Sequence, residues 1–369
     1  MLGLSKYVGR LVAMSSGLKP REAVRRMAPY HPPTGGRAGK LRLDFNENTV
    51  GCSPRVIEAL RKYISADALT IYPEYTDAIQ KLAGFFRVST DDFTMTNGTD
   101  EAIQLLVNTF VGDQGEVLLV KPSYAMYRFY AELAGAGIRE IGYPEDLSFP
   151  LAALLEAIGP STRAIMIANP NNPTGGAIGQ AEIRSILDTA LDAAPQAAIL
   201  IDEAYFDFFR ISVLGWIREY PNLFVSRTFS KAFGMAAMRC GCLFSNAENV
   251  AWMRKAQSPY SVNMLAAVAA CAAVEDVEYR TRYTAEVLQS RVLAIDGLKR
   301  LGIRYFPTFA NFVLFFAGER AIPIRDALRE RGVLVRDRSY EIPGCVRVTI
   351  GTREQIERFL SELETVWTR

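Results

Sequence analysis

The chain has 369 residues, enough for about two domains. Apolar residues make up 49% and charged residues 22%, which excludes a disordered chain, because this much apolar surface can offset the entropy lost on ordering. Lys plus Arg is 42 and Asp plus Glu is 40, so the net charge of +2 gives no general attraction for nucleic acid or an anionic membrane, and any anion site must be local.

At the N-terminus, Leu4, Val8, Leu11 and Val12 recur at helical spacing and predict a short amphipathic arm. A signal peptide is the poorer reading. The apolar stretch Leu11 to Met14 is too short, and no small-residue cleavage site follows. Pro29 to Lys40 is rich in Pro and Gly and reads as loop. Strands and helices are then predicted in turn. A strand over Phe93 to Thr96 precedes a helix over Asp100 to Phe110. A strand over Val117 to Val120 precedes a helix over Tyr124 to Ala134. A strand over Ala164 to Ala168 precedes a helix over Ala181 to Ala194. Strands follow over Ala197 to Ile201, Leu223 to Ser226 and Gly241 to Phe244, then a helix over Ala247 to Lys255. Several of these strands are apolar at successive positions, as in a parallel sheet covered on both faces. The alternation argues for an α/β domain over about 45–275.

Val274 to Leu301 reads as one charged helix. Strands over Phe312 to Phe316, Val333 to Arg336 and Cys345 to Ile350 follow, with helices over Ile324 to Arg331 and Arg353 to Trp367. This order predicts a smaller α+β domain over 276–369, joined by the arm 1–44. No stretch approaches the roughly 18 apolar residues of a membrane span; the longest candidate is Met264 to Val274. There are no internal repeats.

There are 5 cysteines and none forms a C-x-x-C pair. Cys240 and Cys242 read as small core residues, and a reducing cytoplasm is expected. The only histidine is His31, which excludes His-rich zinc sites and leaves a Ser-His-Asp or Cys-His engine with no nearby acid to orient it. No metal site is expected. Proton transfer falls to Lys, Tyr, Asp or Glu.

Four motifs lie at predicted strand ends. Ser226-Arg227-Thr228-Phe229-Ser230-Lys231-Ala232-Phe233-Gly234, with Arg239 eight residues past the lysine, offers a candidate Schiff-base lysine. Its neighbours Thr228, Ser230 and Arg239 could hold a phosphate. Taken alone, a lysine at a strand end is more often a surface charge. Ile199-Leu200-Ile201-Asp202-Glu203-Ala204-Tyr205 ends a strand in two carboxylates and a tyrosine, where α/β sheets bind ligands; a loop charge is the bland alternative. Asn97-Gly98-Thr99-Asp100-Glu101 opens a helix, and Thr99 is read as its cap. The free N–H groups of that first turn could bind an anion, although an ordinary capped helix reads the same way. Asn169-Pro170-Asn171-Asn172-Pro173-Thr174-Gly175-Gly176 has more constrained residues than a plain turn needs.

Taken in order, Asn46-Glu47-Asn48-Thr49, Tyr72-Pro73-Glu74-Tyr75, these four motifs, Pro122-Ser123-Tyr124 and Arg347-Val348-Thr349-Ile350-Gly351-Thr352 resemble the fold type I pyridoxal-phosphate aminotransferases, and within them the histidinol-phosphate aminotransferase group. The resemblance runs from about 29 to about 365. It implies a mostly parallel seven-stranded sheet between helix layers, with a smaller α+β domain. It implies pyridoxal 5'-phosphate as cofactor, joined to Lys231, which then shuttles a proton. Asp202 would keep the ring nitrogen protonated, so that the ring accepts electrons. Tyr205 and Asn172 would donate to the phenolic oxygen, and Tyr124 would stack on the ring. Thr99, Asp100, Thr228, Ser230 and Arg239 would form the phosphate cup. Tyr72 would reach the phosphate from a second subunit, which implies a homodimer. Arg347 would grip the substrate carboxylate, with Asn46 nearby, and Tyr30 and Arg336 would meet a distal phosphate.

Two departures fall around the substrate rather than the cofactor. Tyr30-His31-Pro32-Pro33 replaces a lead-in that ends in Pro-Gly, and Thr49 replaces a proline. The expected reaction moves an amino group between histidinol phosphate and a 2-oxo acid such as 2-oxoglutarate. Alternatives are an aromatic amino-acid aminotransferase, a threonine-phosphate type decarboxylase, or a regulator carrying this domain. No nucleic acid or membrane partner is expected.

Overall fold

The computed structural model describes residues 18–29, 35–113 and 115–368. Among them, strands occur in chain order as β1 (Leu41–Arg42), β2 (Phe93–Thr96), β3 (Glu116–Lys121), β4 (Gly137–Gly142), β5 (Thr162–Ala168), β6 (Ala198–Asp202), β7 (Leu223–Thr228), β8 (Gly241–Phe244), β9 (Phe312–Phe316), β10 (Val333–Leu334), β11 (Arg336–Asp337) and β12 (Cys345–Thr349). The main sheet has seven strands in the order β2-β8-β7-β6-β5-β3-β4. All run parallel except β8, which pairs antiparallel with both β7 and β2.

The continuous apolar runs have the predicted cause. Ile165 and Ile167 of β5 and Ile199 and Ile201 of β6 face one apolar cluster, with the helices Gln180–Ala193 and Met264–Glu275 over it. Ala164, Met166, Ala198 and Leu200 face the opposite cluster, covered by the helices Gly98–Phe110 and Ala125–Ala134. Side chains alternate between faces along a strand, so burying both faces demands apolar residues at every position.

β4 is absent from the sequence reading for the complementary reason. It is the edge strand, its residues are mostly exposed or half-buried, and Arg139 and Glu140 break the apolar run. Among the described residues, the helices Glu22–Arg26, Pro54–Tyr63, Ala66–Thr70, Thr76–Phe86, Leu151–Ala157 and Phe206–Phe209 were also unread. The helix expected over Val274 to Leu301 runs from Val277 to Arg300, and Val274 and Glu275 instead end the preceding helix, Met264–Glu275. Asp276 breaks them apart, and its carboxylate caps the second by accepting from Tyr279 N–H at 3.2 Å.

The C-terminal part builds a second sheet, β11-β12-β9, antiparallel throughout. Phe312, Phe315, Val346 and Val348 pack there with Phe359 and Leu363 of the helix Arg353–Trp367. Thr352 and Gln355 cap that helix reciprocally. The run Val333 to Arg336 is two strands, because β10 pairs parallel with β1 whereas β11 pairs with β12. No helix among the described residues is long and apolar enough to cross a membrane.

Candidate active site

The C-terminal ends of β2, β5, β6 and β7 lie along one rim of the main sheet, because these strands are parallel. Chain continuing from this rim builds a cavity of about 410 Å³. β8 runs the other way, so its N-terminal end meets the same rim. Gly241 pairs with both Thr96 and Thr228 there, which brings the preceding Arg239 into the site.

Asp202 is the last residue of β6 and is 3% exposed. Its Oδ2 accepts from the Tyr127 hydroxyl at 2.8 Å. Its Oδ1 accepts from the Ser226 hydroxyl at 2.8 Å and from Ala204 N–H at 3.1 Å. Burial pushes its carboxyl above the ordinary range, and these donors oppose that rise. The Tyr127 hydroxyl is raised well above its usual range, by burial first and then by the Asp202 charge. Tyr124, the cap residue of the helix that carries Tyr127, donates to Asp100 Oδ1 at 2.7 Å, and its hydroxyl pKa is likewise raised, chiefly by burial.

Lys231 donates to the Phe45 carbonyl at 3.3 Å, and its Nζ lies 5.8 Å from the centre of the Tyr205 ring. The Tyr205 hydroxyl accepts from Asn46 Nδ2 at 3.0 Å. Asn46 has φ 56°, a left-handed conformation that asparagine tolerates better than most residues. Gly234, three residues beyond the lysine, has φ +72°, and a Cβ there would fall 2.3 Å from the Gly51 carbonyl oxygen. Only glycine lets the lysine loop pack so closely on that backbone.

At the other end, the helix Gly98–Phe110 points its first turn into the cavity, with Thr99 and Asp100 lining it. Asn97 occupies the cap position, so Thr99 is not the cap; Glu101 accepts from the Asn97 N–H instead. Arg239, at φ 55°, donates from Nη2 to Asp100 Oδ2 at 3.1 Å. Gly98 leaves room for that guanidinium, since a Cβ would meet Nη2 at 2.5 Å. The Thr228 and Ser230 hydroxyls are 3.0 Å apart beside it.

The second sheet closes the cavity. Arg347 of β12 is 5% exposed; its Nη2 donates to the Asp44 carbonyl at 2.8 Å and its Nη1 to Asn172 Oδ1. Burial, followed by the neighbouring Arg338 charge, pushes this guanidinium below its ordinary value. Arg336 stands directly opposite on β11.

One cavity therefore brings together Asn46, Thr99, Asp100, Tyr124, Asn172, Asp202, Tyr205, Thr228, Ser230, Lys231, Arg239, Arg336 and Arg347. Tyr72 is not among its lining residues; it is 75% exposed and stacks on Tyr260 with ring centres 4.7 Å apart. Tyr30 and His31 lie outside the described residues, as does the predicted arm around Leu4 to Val12. Sequence reasoning missed Tyr127 and Ser226, whose contacts arise across the sheet, and Phe45, Glu47, Arg338, Tyr340 and Glu341, which also line the cavity. Arg338 carried a signal, because it stands two residues after Arg336 in a strand-like run. Behind the site, Glu203 is buried against Arg227, whose Nε donates to its Oε2 at 2.7 Å, and Arg227 lies 3.5 Å over the Phe206 ring. Among the described residues no cluster of metal-ligating side chains occurs.

The family model of aminotransferase class I and II matches residues 38–363. A histidinol-phosphate aminotransferase of Symbiobacterium thermophilum is 37% identical over 360 residues, covering 93% of this chain and 97% of that protein. The crystal structure of the histidinol-phosphate aminotransferase from Clostridium acetobutylicum superposes with TM-score 0.81 at 26% identity, over 88% of this chain and 98% of that one. A histidinol-phosphate aminotransferase from Sinorhizobium meliloti, solved with pyridoxal-5'-phosphate, shares the fold with TM-score 0.87 at 23% identity, over 96% and 99% of the two chains. The chain belongs to the class I and II aminotransferases, and it is a pyridoxal-phosphate-dependent aminotransferase of fold type I.

Proposed function

We propose that this enzyme transfers the amino group of a histidinol-phosphate-like amine to a 2-oxo acid such as 2-oxoglutarate. The observation that carries the reading is the charge that the second sheet brings to the cavity. Arg336, Arg338 and Arg347 line it, and among the described residues only Arg338 has a carboxylate partner there, Glu341. Two positive charges remain in excess, which suits a phosphate monoester better than an uncharged or singly charged side chain. The Symbiobacterium relative, named for that activity, supports the same donor.

The residues present fit pyridoxal phosphate at both ends. Asp202 is a buried carboxylate already supplied with three donors, and it gains from a cationic partner. Thr99, Asp100, Thr228, Ser230 and Arg239 gather a helix N-terminus, hydroxyls and a guanidinium around one spot, the donor set a phosphate needs. When bound, the cofactor supplies an electron sink for the carbon that loses its proton. Lys231 would hold the cofactor and carry that proton. Asp202 would hold positive charge at the ring nitrogen, and Tyr205, oriented by Asn46, would donate to the phenolic oxygen together with Asn172. Tyr124 would pack against the ring. Arg347, clamped by Asn172 and the Asp44 carbonyl, presents a fixed fork to the substrate anion.

We further infer a homodimer in which Tyr72 serves the partner's cofactor. Its exposure beside exposed Leu69 and Ile71 supports this. We also infer a cytoplasmic setting, and units over 1–44, 45–275 and 276–369. Single-turnover assays with histidinol phosphate and phenylalanine test the substrate. The reading predicts a large preference for the phosphate ester. Equal rates would favour an aromatic aminotransferase, and release of carbon dioxide without a 2-oxo product would favour a decarboxylase.

A further inference from the structure

The function proposed above gives the substrate anion two arginines, and the following inference rests on that reading. The second sheet sets a third arginine beside them. Arg336 pairs with Arg347 across β11 and β12. The ladder continues one residue past β11, because Arg338 N–H donates to the Cys345 carbonyl at 2.9 Å. Residues two apart on a strand share a face, so Arg336, Arg338 and Arg347 stand in one row above the cavity.

Arg338 is no surface arginine. It is 7% exposed. Its Nη1 donates to the Tyr340 hydroxyl at 2.7 Å, and its Nη2 bonds to the Glu341 carboxylate. The turn that carries these partners is fixed by its backbone: Glu341 and Ile342 N–H groups both donate to the Arg338 carbonyl, at 2.9 and 2.8 Å. The Nε–H groups of Arg338 and Arg347 are buried without an acceptor among the described residues. Buried N–H donors are rarely left unpaired, and here two of them belong to guanidiniums of one cavity.

We propose that Arg338 is a third substrate-binding arginine, gripping the phosphate of the amino donor beside Arg336 and Arg347, with Glu341 and Tyr340 as positioning residues for its guanidinium. A carboxylate has two oxygens and one charge, which two guanidiniums satisfy. A phosphate monoester has three terminal oxygens and nearly two charges, so a third fork favours it over a simple amino acid.

The test uses the holoenzyme and follows the two half-reactions separately, with histidinol phosphate and with glutamate. Arg338→Gln is expected to raise KM for histidinol phosphate about 10- to 100-fold, the worth of a charge-assisted pair. KM for glutamate, kcat and the visible spectrum should move less than about 3-fold. Inorganic phosphate, used as an inhibitor against glutamate, should lose affinity by the same factor as histidinol phosphate. Because Arg338→Gln strands Glu341, the double variant Arg338→Met with Glu341→Gln, which removes both charges, is measured alongside and should show the same selective loss. Glu341→Gln alone should weaken histidinol phosphate less than the loss of Arg338 does. Equal losses for both substrates in the double variant, or unchanged phosphate inhibition in either folded variant, would overturn the assignment. If the wild-type enzyme turns over no phosphorylated donor, the functional reading fails on its own, and phosphate inhibition alone decides the role of Arg338.

Discussion

Replacing Tyr127 by Phe removes one hydroxyl and leaves the ring in place. That hydroxyl is fully buried and donates to Asp202 Oδ2 at 2.8 Å, while Ser226 and Ala204 N–H continue to serve Oδ1. A hydrogen bond to a buried charged group is worth about 1.5–3 kcal/mol. Losing this donor raises the folded-state pKa of Asp202 further. Burial has already raised it above the unfolded value, so ionisation is disfavoured in the native state. The sign follows: the penalty of the substitution is fully present above the variant's folded pKa and shrinks as pH falls through it. Denaturant unfolding of cofactor-free wild type and Tyr127→Phe between about pH 5 and pH 8 reads this directly. The expected gap is about 1.5–3 kcal/mol at the upper end and smaller at the lower. A gap that stays constant across the range would mean altered ring packing, not lost charge stabilisation, and would refute the reasoning.

Lys231→Ala should abolish the visible absorption of the purified protein and leave nothing for borohydride to reduce, with the fold intact by circular dichroism; a surviving reducible band would reject Lys231. Arg227→Ala leaves Glu203, whose side chain is 1% exposed, without its cationic partner while the Ser212 hydroxyl and Val213 N–H still donate to it, so stability should fall by about 3 kcal/mol. A denaturation midpoint within about 0.5 kcal/mol of wild type would show that the pair is solvated in solution. Gly234→Ala forces a Cβ to within 2.3 Å of the Gly51 carbonyl at φ +72°. It should cost more than about 2 kcal/mol and reduce cofactor retention, and a neutral thermal shift would show that the 48–52 backbone yields.

What could be read from residues alone follows from how local its cause is. The β5 and β6 runs announced themselves because both faces are buried, and the lysine, aspartate and helix-start motifs because each lies within one strand end. β4 escaped because a charged edge strand has no apolar signature. The split at Asp276 escaped because both flanking stretches are helical and only the cap interrupts them. Tyr127 escaped for a different reason. A tyrosine three residues after Tyr124 on a helix looks like ordinary core, and only sheet packing turns its hydroxyl toward Asp202, 75 residues on. Thr99 was misread as a cap because the helix starts two residues earlier than its pattern indicates.

The reversed strand β8 carries a consequence for how this chain can vary. The connection 229–240 leaves the rim at the end of β7 and must return to that same rim to start β8. Lys231 and Arg239 both ride on this strap, one near each attachment point. An inserted or deleted residue there displaces the covalent anchor and the anion-holding guanidinium together, whereas no residue of the helix Ala247–Ala256 beyond β8 lines the cavity. The strap is thus under a constraint on its length as well as its composition, one that a scan of single substitutions would not detect.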